Sequence, residues 1–263
     1  MKKFVALLLA VLMVASLCAC GQKGTGSDLQ TVTKGKLIMS TNAEFAPYEY
    51  VADDGKGFQG TGYEGIDIEI AYALAQKLGL ELVVDNMDFD AALSAVQTGK
   101  SDMVAAGVTV TPDRLNAMSF TDSYANGVQV VIVKEGSDIK TIDDLEGKQI
   151  GTQRGTTGYK YCTEDYGEDS VVAFDDGATA VQNLLTGKVD CVVIDSAPAQ
   201  EYVKANAGLT ILDTEYTNED YAIGVAKGNT ALLDAINGAL KELIDDGTVQ
   251  SIIDKYIPAE AAN

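Results

Sequence analysis

The sequence predicts an α/β protein built as two lobes, and three observations carry that prediction. Strand-like apolar runs alternate with helical patterns along the body of the chain, the arrangement that produces largely parallel sheets covered by helices. A unit of helix end, glycine and strand occurs twice, as Thr98-Gly99-Lys100-Ser101-Asp102-Met103-Val104-Ala105 and as Thr186-Gly187-Lys188-Val189-Asp190-Cys191-Val192-Val193. Such an echo predicts two halves of related build rather than one long sheet. The composition, 46% hydrophobic and 22% charged over 263 residues, supplies enough apolar material for both.

Taken in order, residues 36–41 read as the first strand. Ile66, Ile70, Ala73, Leu74 and Leu78 recur at helical spacing beside Asp67, the expected N-cap, and Gly79 is the expected stop. A strand is predicted at 80–84, a helix capped by Asp90 running to Thr98, and a strand at 102–106. Five more strands are expected at 149–153, 171–174, 191–194, 209–212 and 222–226, mostly separated by helical segments. Helices at 229–246 and 248–256, divided by Gly247, close the chain.

The first residues read as a targeting segment. Lys2 and Lys3 precede an apolar run from Phe4 to Leu17, too short to span a bilayer and of the length of a signal-peptide core. Leu17-Cys18-Ala19-Cys20-Gly21 resembles a lipobox, which implies cleavage after residue 19 and acylation of Cys20, palmitate included, as a membrane anchor. The alternative is an ordinary signal peptide cut nearby, leaving an unmodified thiol. Residues 20–33, rich in Gly, Ser and Thr, read as a flexible tether. Export permits a disulfide between Cys162 and Cys191, and two buried free thiols are the other reading.

Charge and composition remove whole classes of function. The net charge of −20, which becomes −22 once Lys2 and Lys3 are cleaved away, offers no basic stripe for nucleic acid. The absence of histidine removes His-based triads, general bases and metal sites. No cofactor or metal is expected.

The strand ends carry the candidate chemistry, because ligands in open α/β sheets bind beyond the carboxyl ends of strands. The first echoed strand leads into Gly107-Val108-Thr109-Val110-Thr111-Pro112-Asp113-Arg114, and the second into Asp195-Ser196-Ala197-Pro198. Arginine's planar donors match both oxygens of a carboxylate, and an aspartate accepts from and opposes an ammonium. Thr109 adds a donor, and Gly107 allows close backbone approach. Together the two ends fit a zwitterion. Each residue also has a plainer reading: Arg114 as a surface partner of Asp113 or Asp122, Asp195 as only the N-cap of the next helix. A third element lies in Gln153-Arg154-Gly155-Thr156-Thr157-Gly158, between a strand and a helix, where first-turn amides and the helix dipole form an anion site. Thr156 and Thr157 would stand beside a bound carboxylate, whereas Arg154 is expected to face solvent.

The motifs Asn42-Ala43-Glu44-Phe45-Ala46-Pro47-Tyr48-Glu49, Gly65-Ile66-Asp67, Met87-Asp88-Phe89, Ala106 to Arg114, Phe120-Thr121-Asp122, Gly155-Thr156-Thr157 and the strand from Asp190 to Asp195 occur in order. Their order and spacing resemble the polar amino-acid substrate-binding proteins of bacterial ABC importers, family 3 of the solute-binding proteins, over residues 34–257. The resemblance implies a type II periplasmic binding protein-like fold, with two hinge crossings and a ligand cleft between the lobes. Lobe one is expected at 36–126 plus 221–257 and lobe two at 127–220, with crossings at 127–133 and 219–226. It also implies that Arg114 clamps the ligand α-carboxylate with Thr109 and the Thr157 amide, and that Gly107 and Asp195 receive the α-ammonium. Phe45 and Phe89 correspond to apolar walls around the side chain, core packing being their other reading. Asn42, Glu44 and Gln153 occupy positions able to face that side chain, which favours a polar or cationic ligand such as glutamine, arginine, lysine or histidine. Some relatives of this type carry aspartate where Asn42 stands, so a strictly cationic preference does not follow.

The implied protein is a monomer, lipid-anchored on the outer face of the membrane, that delivers its ligand to the permease subunits. Two other classes share the fold: a tethered amino-acid sensor or adhesin, and a dehydratase acting on cyclohexadienyl acids, which would have to use Glu44 in place of histidine.

Overall fold

The computed structural model describes residues 29–258. The predicted signal peptide, the lipobox with Cys20 and most of the tether lie outside them. Twelve strands and eight α-helices follow one another in the described chain. β1 (Lys36–Thr41) leads to a small antiparallel sheet of β2 (Glu44–Phe45), β3 (Glu49–Val51) and β4 (Tyr63–Glu64). Then come α1 (Ile66–Leu78), β5 (Glu81–Asn86), α2 (Phe89–Gln97), β6 (Met103–Val104), α3 (Pro112–Ala117) and the long β7 (Met118–Lys134). The next stretch holds β8 (Ile150–Gln153), α4 (Thr157–Tyr166), β9 (Val171–Phe174), α5 (Gly177–Leu185), β10 (Cys191–Asp195), α6 (Ser196–Ala205) and β11 (Leu209–Ile211). β12 (Thr217–Ala226), α7 (Thr230–Asp245) and α8 (Thr248–Tyr256) end it.

The strands join in one path, β5-β1-β6-β12-β7-β10-β8-β9, with β11 on β7. It is two parallel α/β half-sheets joined through a ribbon. β1 pairs parallel with β5 and β6 in the first half, and β8 pairs parallel with β9 and β10 in the second. β7 and β12 run antiparallel from Met118↔Ala226 to Gln129↔Thr217, with irregular register around Tyr221 to Gly224. Beyond that ladder β7 pairs with β10 from Gln129 to Ile132. The cores divide the same way. Leu37, Met39, Ile68, Leu74, Ile223 and Leu240 belong to one cluster, whereas Ile132, Val181, Leu184 and Val192 belong to another.

The echoed units fold alike. Thr98 and Thr186 end α2 and α5, and Gly99 and Gly187 follow with φ of 71° and 74°. Each then places an aspartate at a strand start. The Asp102 amide donates to Ile38 O at 2.9 Å while its carboxylate accepts from the Ile38 amide at 2.8 Å. Asp190 does the same with Gln149, at 2.8 Å in both directions. A short aspartate at this point ties the helix-to-strand turn to the neighbouring strand.

Several expected boundaries shift for physical reasons. α1 is capped by Gly65 and α2 by Asp88, neither with a side-chain bond, so Asp67 and Asp90 are not the N-caps. Asp67 is instead fully buried and accepts from the Gly107 amide at 2.8 Å. The expected strand at 222–226 is the second half of β12, and of β7, the longest element, only the crossing at 127–133 was expected. Cys162 and Cys191 are free, buried thiols, each pushed up by desolvation, Cys162 to about 12.

Candidate functional site

Where the half-sheets face each other the chain encloses a cavity of about 470 Å³, its mouth included. Small-molecule sites commonly measure about 300–1,000 Å³. Ten of the eleven predicted residues line it: Asn42, Phe45, Phe89, Gly107, Thr109, Arg114, Gln153, Thr156, Thr157 and Asp195. Glu44 does not. Its side chain is exposed, because alternation along β2 turns it out where Phe45 turns in.

Arg114 is aimed by its local structure. Thr111 caps α3, accepting from the Arg114 amide at 3.2 Å, and Pro112 takes the first helical position. The guanidinium donates to Thr109 O at 2.9 Å and lies 5.3 Å from the Phe89 ring centroid. It also donates to Gly155 O at 3.1 Å, across the cavity. Neither Asp113 nor Asp122 is its partner: Asp113 pairs with Lys160 at 2.8 Å. The carboxylate that sustains its charge against burial is Glu219, which sequence reading did not single out. Glu219 accepts from Thr109 Oγ1 and Gln129 Nε2, both at 3.0 Å. The Thr109 hydroxyl is therefore already committed.

Asp195 is both a helix cap and a cavity wall. One oxygen accepts from the Ala197 amide at 3.1 Å, the other from Tyr221 Oη at 2.7 Å and the Val128 amide at 3.0 Å. Desolvation raises its carboxyl to about 6 in spite of these three donors. Gly107, at φ 53°, gives its amide to Asp67, so what it turns to the cavity is backbone without a side chain. A Cβ there would meet Phe45 Cε1 at 2.8 Å and Tyr221 Cε2 at 3.3 Å. Thr156 caps α4: its hydroxyl donates to Gln153 O at 2.7 Å and accepts from the Tyr159 amide at 3.3 Å. Thr157 then opens that helix, in the turn whose amides lack intrahelical partners. Gln153 Nε2 donates to Asn42 Oδ1 at 2.9 Å, a second bond across the cavity. Arg154 is exposed, 3.6 Å from Asp175, as expected.

The lining residues that sequence reading missed are Glu49, Ala106, Gln129, Val193, Ile194 and Tyr221. Glu49 matters most. It pairs with Phe45 across β2 and β3, so the two share a face, and its side chain is buried with no donor on either oxygen. No single-strand periodicity announces it, because residues 46–48 turn the chain back between β2 and β3.

The arrangement can hold a zwitterion with one further cation. A guanidinium and a helix N-terminus stand toward one side, Asp195 toward another, and Glu49 beside the aromatic wall. Carboxyl groups outnumber cations around the cavity, which disfavours an acidic ligand.

Comparison with known proteins agrees with this geometry. The family model of bacterial extracellular solute-binding proteins, family 3, matches residues 37–259. The arginine-binding extracellular protein ArtP of Bacillus subtilis is 32% identical over 273 residues, covering 99% of this chain and all of that one. The arginine-, lysine-, histidine-binding protein ArtJ of Geobacillus stearothermophilus superposes with a TM-score of 0.77 at 32% identity, over 84% of this chain and 95% of that chain. An ancestral arginine-binding protein bound to glutamine gives a TM-score of 0.79 at 39% identity, over 86% and 99%. A family model that runs from residue 37 to 259, together with relatives more than 30% identical over most of the chain, makes this chain a member of the bacterial extracellular solute-binding proteins, family 3.

Proposed function

We propose that the protein is the extracytoplasmic binding component of an ABC importer and that it captures a cationic L-amino acid, arginine first among the candidates, by lobe closure. The observation that carries the ligand class is Glu49. A buried carboxyl group lining the cavity, with no donor on either oxygen, is unfavourable as an anion until a donor arrives, and a guanidinium or ammonium supplies charge and donors together. Relatives that bind arginine, lysine or histidine, and one bound to glutamine, support the wider class of polar and cationic side chains.

In this reading Arg114 takes the α-carboxylate in a bidentate pair, aided by backbone donors at Thr109 and Thr157. Asp195 and the Gly107 carbonyl take the α-ammonium. The side chain lies between Phe45 and Phe89, with Asn42, Gln153 and Glu49 at its far end. Lobe one comprises residues 36–126 and 221–257 and lobe two residues 127–220. Ligand held first by Arg114 would then gain Thr157 and Asp195 on closure, and contacts made only in the closed state are what shift the equilibrium toward it. The bonds from Arg114 to Gly155 and from Gln153 to Asn42 are of that kind. No catalytic step belongs to the proposal. The protein works as a monomer held at the outer membrane face through acylated Cys20, and the permease subunits read the closed shape.

A thermal-shift screen of the twenty amino acids, followed by calorimetry, tests the assignment. Ligand at about 100 times its Kd stabilises the native state by about 2.7 kcal/mol. Arginine, lysine or histidine should give the largest shifts, and no shift with any amino acid would overturn the reading.

A further inference from the structure

We infer that Glu49 and Asp67 hold one proton between them in the empty site, and that a cationic ligand side chain expels it, coupling capture of a cationic amino acid to proton release. The inference rests on reading the cavity as an amino-acid site with Glu49 at the side-chain end.

The geometry requires a proton. Glu49 is 1% exposed and Asp67 0%, and they lie close enough to bond side chain to side chain. Asp67 takes the Gly107 amide on Oδ2 and is bonded by the Tyr124 hydroxyl, whereas neither Glu49 oxygen has a donor. Two ionised carboxylates cannot bond, since each only accepts. One O–H on Glu49 turns it into a donor to Asp67 and removes one of two adjacent buried charges. The charges facing Glu49, on Asp67 and Asp195, both favour keeping that proton. Asp195, at the start of α6, adds negative charge, and the tyrosines packed here, Tyr48, Tyr124 from β7 and Tyr221 from β12, bring no cation. Burial and the charges of Asp67 and Asp195 push Glu49 well above the usual carboxylate range, and burial alone lifts Asp67 to about 6 against the donors that lower it.

A guanidinium or ammonium arriving beside Phe45 reverses the balance. It supplies the missing donors and the missing positive charge, so the Glu49 O–H bond breaks and the proton passes to water in the still-open cleft. A carboxamide brings no charge and leaves the proton in place, accepting from the Glu49 O–H through its oxygen. The same residue thus accepts either ligand in different protonation states.

Calorimetric titration of L-arginine and L-glutamine into the wild-type protein, in buffers of contrasting protonation heat from about pH 5 to 8, counts the protons moved. The two ligands share the same zwitterionic backbone, so protons moved at Asp195 cancel in the difference. Arginine should release about one proton more than glutamine, and its Kd should weaken by up to about tenfold per pH unit below the upper ionisation of the pair. Glu49→Gln should abolish the excess, and Asp67→Asn serves as the second variant, since a lone Glu49 beside a carboxamide loses its charged neighbour and titrates lower. If neither ligand binds, the functional reading falls. If arginine binds with no excess release, or with a Kd flat across that pH range, proton coupling falls and the amino-acid reading stands. Should glutamine not bind, the arginine pH slope alone decides.

Discussion

Replacing Arg114 by lysine keeps a cation at the heart of the cavity and removes only its shape. The guanidinium serves three directions at once: Thr109 O at 2.9 Å on its own side, Gly155 O at 3.1 Å on the other, and the open cavity. A single ammonium cannot span both carbonyls and still meet two carboxylate oxygens in one plane. The bond to Thr109 positions the group within its own half. The bond to Gly155 crosses the cavity, and in the proposed clamp a second bond of the bidentate pair would go to the ligand. Hydrogen bonds to charged groups contribute about 1.5–3 kcal/mol each. Losing these two while one lysine contact survives should cost about 3 kcal/mol, or roughly a hundredfold in Kd. Calorimetry against arginine reads the loss, and a urea melt of the ligand-free protein checks that the fold is kept. A Kd within about threefold of wild type, with the fold intact, would refute the clamp.

Three further outcomes follow from particular contacts. Gly155→Ala places a Cβ 1.7 Å from Asp90 Oδ1 at a φ of 75°, so closure should be obstructed and affinity lowered while the ligand-free core melts almost as before. Affinity partly restored by adding Asp90→Ala would identify the clash as the cause. Gly127→Ala puts a methyl 2.5 Å from Tyr221 Cζ and 2.6 Å from Asp195 Oδ2, and should lower stability by about 1–3 kcal/mol in urea unfolding. Asp67 and Asp195 are both raised from 3.8 to about 6, so the folded state binds their protons more tightly than the unfolded chain. Their effect is stabilisation as pH falls through about 6 toward the unfolded value. Each pKa unit corresponds to about 1.4 kcal/mol. The ligand-free melting temperature should therefore rise between about pH 7 and 5, and a fall over that window would contradict the buried-carboxyl description.

What the sequence made legible was local. Gly79, Gly99, Gly187 and Gly247 marked helix ends because each holds a left-handed backbone that other residues resist. Arg114, Asp195 and Thr157 were legible because they follow strand ends, where an α/β fold places its ligands. The illegible residues arrive by pairing over long separations. Glu219 reaches Thr109 from 110 residues away, and Asp67 is drawn from its expected cap by the Gly107 amide 40 residues on. Glu44 looked like the carboxylate of the cleft by position, yet the pleat gives that place to Glu49. Of β7 only the crossing at 127–133 was foreseen, because its neighbours change from β12 to β10 midway and no single face stays buried along its 17 residues.

That same pair of strands constrains how the molecule can move. β7 and β12 stay hydrogen-bonded through the passage between halves, with irregularities confined to Tyr221 through Gly224. A laddered ribbon can flex and twist, but it cannot slide without breaking its register. Opening is thereby reduced to an angular coordinate, and the cleft lips act as the far end of a lever whose fulcrum is this ribbon. Arg114 and Gly155, or Asn42 and Gln153, should return to the same mates after every cycle. Alignment of the half-sites is then inherited from strand pairing and need not be searched for each time a ligand arrives.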